Sequence, residues 1–396
     1  MTVVMKKKMK SLPLKYLLFF TVLSPAFIFT QAQSKKTQVS FRDSLDGKLD
    51  LSDFIIDANG FIPIPYIITE PAFGGFGGAI APVFIKKRPP YVDTINGRVQ
   101  KTPVAPDITG GLGLYTVNHT WGLMGFRSGT IIKSRIKYLA AGGYFHLNLS
   151  FYKNVPQLGE KEFHFTINTI PAILQAIKRI GPSGLHAGFR YLFLKTDISF
   201  NGDHQLRSFT DSLDFNKLIS QLGVVLELDK RDNVFTPDKG IKLHFDATKS
   251  DQLIGSDYDF WRLNYYNYFY QPIFEQTVFG LRIDVKQAFG DIPFYALPFI
   301  EMRGIPLARY QGNANLVSEV EIRQDIKRRW SIVGFGGTGK AFDYWDQFDK
   351  ADWIFSYGGG VRYLLARKFK LRMGIDLARG AGAWSYYIVF GSNWQK

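Results

Sequence analysis

Apolar and polar residues alternate regularly along the last third of the chain. Between residues 316 and 326 the even positions are mostly apolar and the odd positions mostly carry charge, and residues 353–365 and 369–378 have the same two-residue period. Because strand side chains point alternately to two faces, each segment predicts a strand with one apolar face and one charged or glycine-rich face. The last predicted strand ends with an aromatic residue, Trp394.

Each predicted strand has both a charged face and an apolar face, and this combination distinguishes a membrane barrel from a soluble β-sandwich. A soluble sandwich must cover its apolar faces with a second sheet, whereas a closed barrel can turn them toward lipid. We therefore predict an all-β fold, a transmembrane antiparallel β-barrel of 16 strands (14 as the alternative), in one domain over residues 61–396. About fifteen strand segments can be recognised from residue 73 onward. The alternation predicts that Ile322, Leu371 and Ile375 face lipid. It predicts that Glu321, Arg372 and Asp376 face the lumen.

The N-terminus has the three parts of a secretory signal peptide. Five lysines, the last at Lys15, precede an apolar run over residues 16–29, and small residues follow around Ala32. We predict a signal peptide over residues 1–32, because the apolar run is short for a spanning helix; a single N-terminal anchor is the alternative. Residues 33–60 are expected to be a short periplasmic lead-in, and the barrel to lie in a bacterial outer membrane.

Composition fits a barrel and narrows the chemistry. The chain has no cysteine, 20 tyrosines and 35 phenylalanines, and a net charge of +15. The lack of cysteine excludes disulfides and thiolate metal sites, and aromatic residues are typical of the girdles at membrane interfaces. The positive charge is dispersed over the strands, so we predict no nucleic-acid partner and expect contacts with outer-membrane lipids, including anionic lipopolysaccharide. No cofactor and no metal site are predicted.

One polar segment between two predicted strands has the composition of a tightly folded turn. Aspartate and asparagine accept hydrogen bonds from nearby backbone groups, proline fixes φ, and glycine tolerates positive φ. We interpret the segment as a structural turn on the periplasmic side. Its turn-forming residues are Asp229, Arg231, Asp232, Asn233, Pro237 and Gly240.

This turn resembles the D-x-R-D-N-x-x-x-P-x-x-G turn of the bacterial surface antigen family, the barrel of the outer-membrane assembly-factor superfamily. That superfamily includes the BAM and TAM insertases and the two-partner-secretion transporters. Three further segments resemble its motifs in the same order: M-R-G-I at residues 302–305, E-I-R at residues 321–323 and F-G-G-T-G at residues 335–339. The last departs from the family pattern, since Gly337 stands where the family has a wall aspartate.

The resemblance implies that a long loop, residues 293–315, folds back into the lumen and that Arg303 docks on the inner wall. A buried arginine needs carboxylate partners, and Glu319 and Glu321 lie on the charged face of the adjacent predicted strand. Gly304 lets the backbone approach the wall closely. Because the wall aspartate is missing, we expect Glu319 and Glu321 to hold Arg303 in a lumen-loop anchor. An Arg303 solvated on an outer loop is the alternative.

The resemblance also implies a function in outer-membrane protein or lipid biogenesis, or in transport through the barrel. Family insertases carry periplasmic POTRA modules before the barrel, and residues 33–60 are too few for one, so we expect a member without POTRA domains. Candidate partners are periplasmic or outer-membrane assembly proteins. A passive or selective diffusion channel is the alternative function.

Enzymatic chemistry has little support in the sequence. None of the six histidines lies in a recognisable nucleophile motif, and no glycine-rich phosphate loop opens a helix. Asp346, Asp349 and Asp352 could suggest calcium, but Phe348 and Lys350 between them favour a solvated loop. We therefore predict that the protein is not an enzyme, with a barrel hydrolase as the third hypothesis.

Overall fold

A barrel of sixteen antiparallel strands makes up most of the described chain. The computed structural model describes residues 40–57, 61–86, 88–89, 91–95, 98–102, 107–155, 159–181, 184–200 and 216–394. The predicted signal peptide lies outside these residues. The helix and strands are α1 (Ser52–Asp57), β1 (Phe61–Ile68), β2 (Gly77–Lys86), β3 (Tyr91–Ile95), β4 (Arg98–Thr102), β5 (Asp107–Thr116), β6 (Trp121–Ile131), β7 (Ile136–Val155), β8 (Gly159–Ile180), β9 (Leu185–Phe200), β10 (Asn216–Asp229), β11 (Gly240–Ser250), β12 (Phe260–Phe274), β13 (Thr277–Gly290), β14 (Ala314–Asp325), β15 (Trp330–Phe342), β16 (Ile354–Ala366), β17 (Leu371–Gly380) and β18 (Ala383–Phe390). Single 3-10 turns lie at Pro71–Phe73, Gln252–Ile254, Phe294–Ala296, Trp345–Gln347 and Arg367–Phe369.

The barrel strands pair in chain order, from β1 through β2 and β5 onward to β18. Strands β3 and β4 form a separate hairpin within the connection from β2 to β5. Within the described residues no ladder joins β1 to β18, so the barrel is nearly closed, with one unpaired junction that we call the β1–β18 seam. The predicted all-β antiparallel barrel of 16 strands is confirmed.

The strand that alternation did not reveal is β1. It contains Pro63 and Pro65, and proline removes a ladder donor, which argues against a strand. The structure accommodates both prolines because β1 is an edge strand that pairs on one side only, with β2. The other fifteen barrel strands correspond to segments that the pattern predicts.

Alternation of exposure along each strand follows the predicted faces. On β17, Ile375 is 54% exposed on the outer surface and Asp376 is 0% exposed in the lumen. Ile322 is also exposed on the outside, and Arg372 is buried inside. A one-residue slip would exchange these faces, so the register holds the charges inside the barrel. No helix in the described ranges is long and apolar enough to cross a membrane.

The C-terminal aromatic residue lies elsewhere than predicted. Strand β18 ends at Phe390, and Gly391 follows with a φ of 78°. Trp394 is only 2% exposed and packs in the lumen against Tyr268 and Tyr270. The interpretation of Trp394 as part of the last strand is therefore wrong, because the backbone turns inward at the glycine before the tryptophan is reached.

Candidate functional site: the lumen loop and its arginine

The connection from β13 to β14, residues 291–313, packs into the barrel. Ile300, Met302 and Ile305 of this lumen loop form a buried cluster with Val317 of the wall. Gly304 has a φ of +83°, and a Cβ there would lie 3.0 Å from the backbone of Arg379 and Gly380. The glycine is therefore needed both for its conformation and for its close approach to the wall. Its N–H donates to the hydroxyl of Tyr387 at 2.8 Å.

Arg303 enters the wall from this loop and meets three carboxylates. One of its terminal nitrogens lies 2.6 Å from Oε1 of Glu319, and the other lies 2.8 Å from Oε2 of Glu321 and 2.9 Å from Oδ2 of Asp376. The guanidinium also stacks on Phe335, with 3.5 Å between its central carbon and the ring centroid. The Arg303 side chain is 1% exposed, so these contacts replace its hydration. We call Arg303, Glu319, Glu321 and Asp376 the Arg303 cluster.

Further charges extend the cluster along the inner wall. Arg282 donates to Oε2 of Glu319 at 3.2 Å, and Arg362 donates to Oδ2 of Asp376 at 2.9 Å. The indole of Trp394 also donates to Glu319, at 3.1 Å. Two of the three carboxylates thus have a second cationic partner on the wall, which fixes their position independently of the loop.

The structure brings together Arg303, Gly304, Glu319 and Glu321 as the sequence suggested, and adds a carboxylate that the sequence reasoning did not include. Asp376 lies on β17, 73 residues from Arg303 along the chain. Its inward face was predictable from alternation, but its pairing with Arg303 was not.

Gly337 makes room for this arrangement. A Cβ at this position would lie 3.0 Å from the sulfur of Met302 and 3.1 Å from Cγ of Glu319. The position where the family has its wall aspartate is therefore filled by the loop and by Glu319. The third carboxylate comes from Asp376, two strands farther around the barrel.

The predicted turn connects β10 to β11 and is held by its own side chains. Arg231 and Asp229 form a two-bond ion pair, with contacts of 2.7 and 2.9 Å. Oδ1 of Asp232 accepts from the backbone of residues 238 and 239, and Oδ1 of Asn233 accepts from residues 235 and 236. Gly240 has a φ of +112°, and a Cβ there would lie 2.3 Å from a carbonyl oxygen. These contacts are those of a turn stabilised by its own side chains, and the assignment of the turn to the periplasmic side stays a prediction.

The same turn contacts distant parts of the chain. Asn233 donates to the carbonyl of Phe369 at 2.9 Å, and Arg323 at the end of β14 donates to the carbonyl of Pro237 at 3.2 Å. The backbone N–H of Ser392 donates to the carbonyl of Phe235. The turn therefore reaches β14, the β16–β17 turn and the C-terminal residues, all at the barrel end where β10 finishes. We call this the turn end of the barrel.

A second arginine at the turn end also meets three carboxylates, and sequence reasoning missed it. Arg329, in the β14–β15 turn, is buried and contacts Asp43, Asp46 and Asp50, with its Nη1 lying 2.9 Å from Oδ2 of Asp50. We call these four residues the Arg329 cluster. The three aspartates belong to the N-terminal segment, residues 40–57, which the sequence presented only as a polar lead-in.

Charge holds this N-terminal segment on the rim. A hydrogen bond from Arg367 lowers the pKa of Asp43, and one from Arg329 lowers the pKa of Asp46. The backbone contributes as well, since Leu51 N donates to the carbonyl of Leu365 at 2.8 Å. The three closely spaced aspartates at positions 43, 46 and 50 are visible in the sequence. Their spacing alone does not identify Arg329 as their partner.

The contacts of histidine and aspartate bear on the enzymatic and metal hypotheses. In the described part of the chain, no group of three His, Asp or Glu side chains is arranged to hold a metal ion. Ser150 Oγ lies 3.0 Å from Nδ1 of His164, and Glu162 approaches the same nitrogen at 3.9 Å. A serine nucleophile relay requires the carboxylate on the opposite ring nitrogen, so these three residues do not form one.

Known sequences and solved structures include proteins that are similar to this chain. The sequence model of the Omp85 superfamily domain matches residues 126–302. The structure of BamA from Haemophilus ducreyi lacking POTRA domains 1-3 has a TM-score of 0.54 at 10% identity, over 84% of this chain and 69% of that chain. No curated protein matches the chain.

Two further solved structures are similar. CdiB from Escherichia coli has a TM-score of 0.55 at 8% identity, over 83% of this chain and 62% of that one. CdiB from Acinetobacter baumannii has a TM-score of 0.53 at 10% identity, over 84% of this chain and 59% of that one. This chain therefore spans less than two thirds of either CdiB, and at these identities the likeness concerns the fold.

Proposed function

We infer that this chain is a member of the Omp85 superfamily, whose sequence model matches residues 126–302, and we propose that it is an outer-membrane translocator or insertase that handles protein or lipid substrates at its β1–β18 seam. The observation that carries the proposal is the missing ladder between β1 and β18. An unpaired strand edge offers backbone N–H and C=O groups to another extended chain. A barrel that only conducts solutes has no use for such an edge, since closure removes it.

The prolines of β1 work against closure of this seam. Pro63 lies opposite Pro82 of β2, and neither residue has an N–H, so the two form a non-hydrogen-bonded pair. In such a pair the backbone polar groups point away from the partner strand. The odd-numbered residues of β1 therefore direct their N–H positions toward β18, and Pro63 and Pro65 leave two of those positions without a donor.

Contacts across the seam are made by side chains. The rings of Tyr66 and Phe390 lie with centroids 6.2 Å apart, and the hydroxyl of Tyr386 donates to the carbonyl of Gly75 at 3.0 Å. Such contacts hold the edges together with less energy than a full ladder would, because each backbone hydrogen bond contributes about 1 kcal/mol. Opening the seam therefore breaks fewer backbone hydrogen bonds than separating two paired strands of the barrel would.

The lumen loop supports substrate passage at the seam instead of through the pore. The Arg303 cluster holds this loop against β14 and β17, and Gly304 contacts the β17–β18 hairpin through Arg379 and Gly380. We propose that Arg303, Gly304, Glu319 and Glu321 act with Asp376 as the anchor that keeps the lumen filled. The lumen loop contacts β18 directly, since Gly304 N–H donates to the hydroxyl of Tyr387. Movement of β18 would therefore also displace the loop residues that form the anchor.

A reconstituted folding assay tests the proposal. The full chain is placed in liposomes, and a urea-denatured outer-membrane barrel is added while its folding is followed by heat-dependent gel mobility. We expect faster folding than in empty liposomes. Ion conductance without faster folding would support the diffusion channel instead, and release of fatty acid from the liposome lipids would support the hydrolase.

A further inference from the structure

A cavity of about 490 Å³ lies in the lumen, away from the Arg303 cluster. Strands β6 to β10 form one side of it, β12 and β13 form the other, and residues 295–299 of the lumen loop cover it. Its size falls within the range of small-molecule sites in proteins, about 300 to 1,000 Å³. The two sides differ in chemistry, and this difference defines what could bind.

The side formed by β8, β9 and β10 is apolar. Ile173, Leu192, Leu194 and Ile219 face the cavity from these strands, and Leu297 adds to them from the loop. Apolar surface in contact with water costs free energy in proportion to its area, and much of the inner face of this barrel carries charged side chains instead. A luminal patch of this kind is the expected lining for an apolar ligand group.

The opposite side presents a cation without a carboxylate partner. Arg262 of β12 donates to the carbonyl of Ala296, while its Nε has no hydrogen-bond partner within the described residues. Among those same residues, no carboxylate lies within ion-pair distance of Arg262. Asp246, whose charge acts on Arg262 from farther away, already pairs with Arg190 at 3.3 Å and accepts from Asn264 at 2.9 Å.

A second cation beside the cavity shows the contrast. Lys286 of β13 lies 3.1 Å from Oε2 of Glu301 and 4.9 Å from the ring centroid of Phe299. Its charge is compensated by the loop itself, whereas that of Arg262 is not. A buried guanidinium favours a charged acceptor, and its planar fork suits carboxylate and phosphate groups.

We propose that this cavity binds an anionic amphiphile with a single apolar chain. The headgroup, a carboxylate or a phosphate, binds Arg262, and the chain lies against Leu192, Leu194 and Ile219. The bound molecule would contact both the wall and the covering residues of the lumen loop. This site does not depend on the proposed function, because it lies at neither the seam nor the Arg303 cluster.

Binding of matched twelve-carbon compounds to the full chain in amphipol tests the proposal. Equilibrium dialysis of radiolabelled dodecanoate, dodecyl phosphate and dodecanol is compared with dialysis against amphipol alone. We expect saturable binding of one equivalent of at least one anion, with dodecanol about tenfold or more weaker because it lacks the charge-assisted contact. The tighter of the two anions identifies the headgroup. Equal binding of dodecanol, or no saturable binding of either anion, would overturn the proposal.

Variants locate the site. Arg262→Gln should weaken binding of the anion about tenfold and leave dodecanol unchanged, and Leu194→Trp should abolish binding by filling the cavity. Arg372→Gln is the matched control, a luminal arginine of β17 that pairs with Asp325 at 3.0 Å and lies outside the cavity, and should bind like the unaltered protein. Heat-dependent gel mobility checks that each variant folds. If a folded Arg262→Gln or Leu194→Trp protein binds the anion like the unaltered protein, the cavity is not the site; should one variant not fold, the other decides.

Discussion

Two arginines, one in the lumen and one at the turn end, each contact three carboxylates but do so with opposite architecture. Arg303 comes from a loop and its partners Glu319, Glu321 and Asp376 come from the wall. Arg329 comes from a turn of the wall, and its three aspartates come from the N-terminal segment. In the first cluster the strands and the wall arginines Arg282 and Arg362 fix the positions of the carboxylates. In the second, one fixed cation orders a short acidic segment.

This difference determines how much each cluster contributes to the barrel. The carboxylates of the Arg303 cluster are embedded in the sheet, and two of them keep Arg282 or Arg362 as partners. The aspartates of the Arg329 cluster are carried by residues that belong to no barrel strand. We therefore expect the first cluster to affect the folded barrel and the lumen, and the second to affect only the docking of residues 40–57.

The largest effect is expected for Arg303→Ala. Removal of one member of a buried charge group costs about 3 to 5 kcal/mol, and the lower end applies because Glu319 and Asp376 retain wall arginines. The stacking on Phe335 is lost as well. The barrel should lose its heat-resistant gel mobility at a lower temperature, and its conductance in planar bilayers should rise. Arg379→Ala, an exposed arginine of β17, is the control and should change neither property.

Arg329→Ala should release the N-terminal segment without weakening the barrel. The three aspartates would face each other without their shared cation, and their mutual repulsion opposes docking. The chain has no cysteine, so a dye placed on Ser44→Cys reports the segment alone. Its fluorescence anisotropy should fall in Arg329→Ala and stay high in Arg328→Ala, the neighbouring exposed arginine. Loss of heat resistance in Arg329→Ala would contradict the proposed separation of the two clusters.

Acid should produce the same release in the unaltered protein. The pKa values of Asp43 and Asp46 are lowered by docking from the ordinary value of 3.8. Groups with lowered pKa stabilise the docked state above their ordinary pKa, and this contribution disappears as the pH falls through the lowered values. Anisotropy of the same dye should therefore be constant from about pH 7 to pH 4 and fall toward pH 2. A decrease centred near pH 6 would contradict this origin.

The smallest effect is expected for Lys368→Ala. Its contact with Asp53, at 2.8 Å, is also part of the docking surface, but both side chains are more than 40% exposed. Exposed ion pairs contribute about 0 to 1 kcal/mol, since water solvates both partners well. Anisotropy of the dye on the N-terminal segment should be nearly unchanged. A release as complete as that of Arg329→Ala would show that burial does not distinguish the two contacts.

The same contrast explains what the sequence could predict. Alternation with a period of two gave fifteen of the barrel strands and the inward face of Glu319, Glu321 and Asp376, because side-chain direction in a strand follows position alone. It did not give β1, whose prolines are typical of non-strand segments and are compatible with pairing only at an edge. The inward turn of the backbone at Gly391 and the burial of Trp394 also produce no alternation of apolar and polar residues, so the sequence did not predict them.

Contacts between residues far apart in the sequence could not be predicted either. Glu319 and Glu321 were identified because they follow Arg303 closely in sequence, while Asp376 is 73 residues away. The aspartates of the N-terminal segment lie about 280 residues from Arg329, in a stretch without alternation. A single sequence gives the face of a residue, whereas the partner across the barrel depends on strand order and register.

A disulfide across the β1–β18 seam, used in the folding assay, tests whether substrates are handled at the seam. Tyr66→Cys with Phe390→Cys joins the two edges, whose rings are in contact. Tyr66→Cys with Ala79→Cys joins β1 to β2, which are already paired at these positions, and is the control. We predict that the seam disulfide reduces substrate folding to the rate in empty liposomes, that a reductant restores it, and that the control disulfide has no effect. Unchanged substrate folding with the seam closed would show that substrates are not handled at the seam.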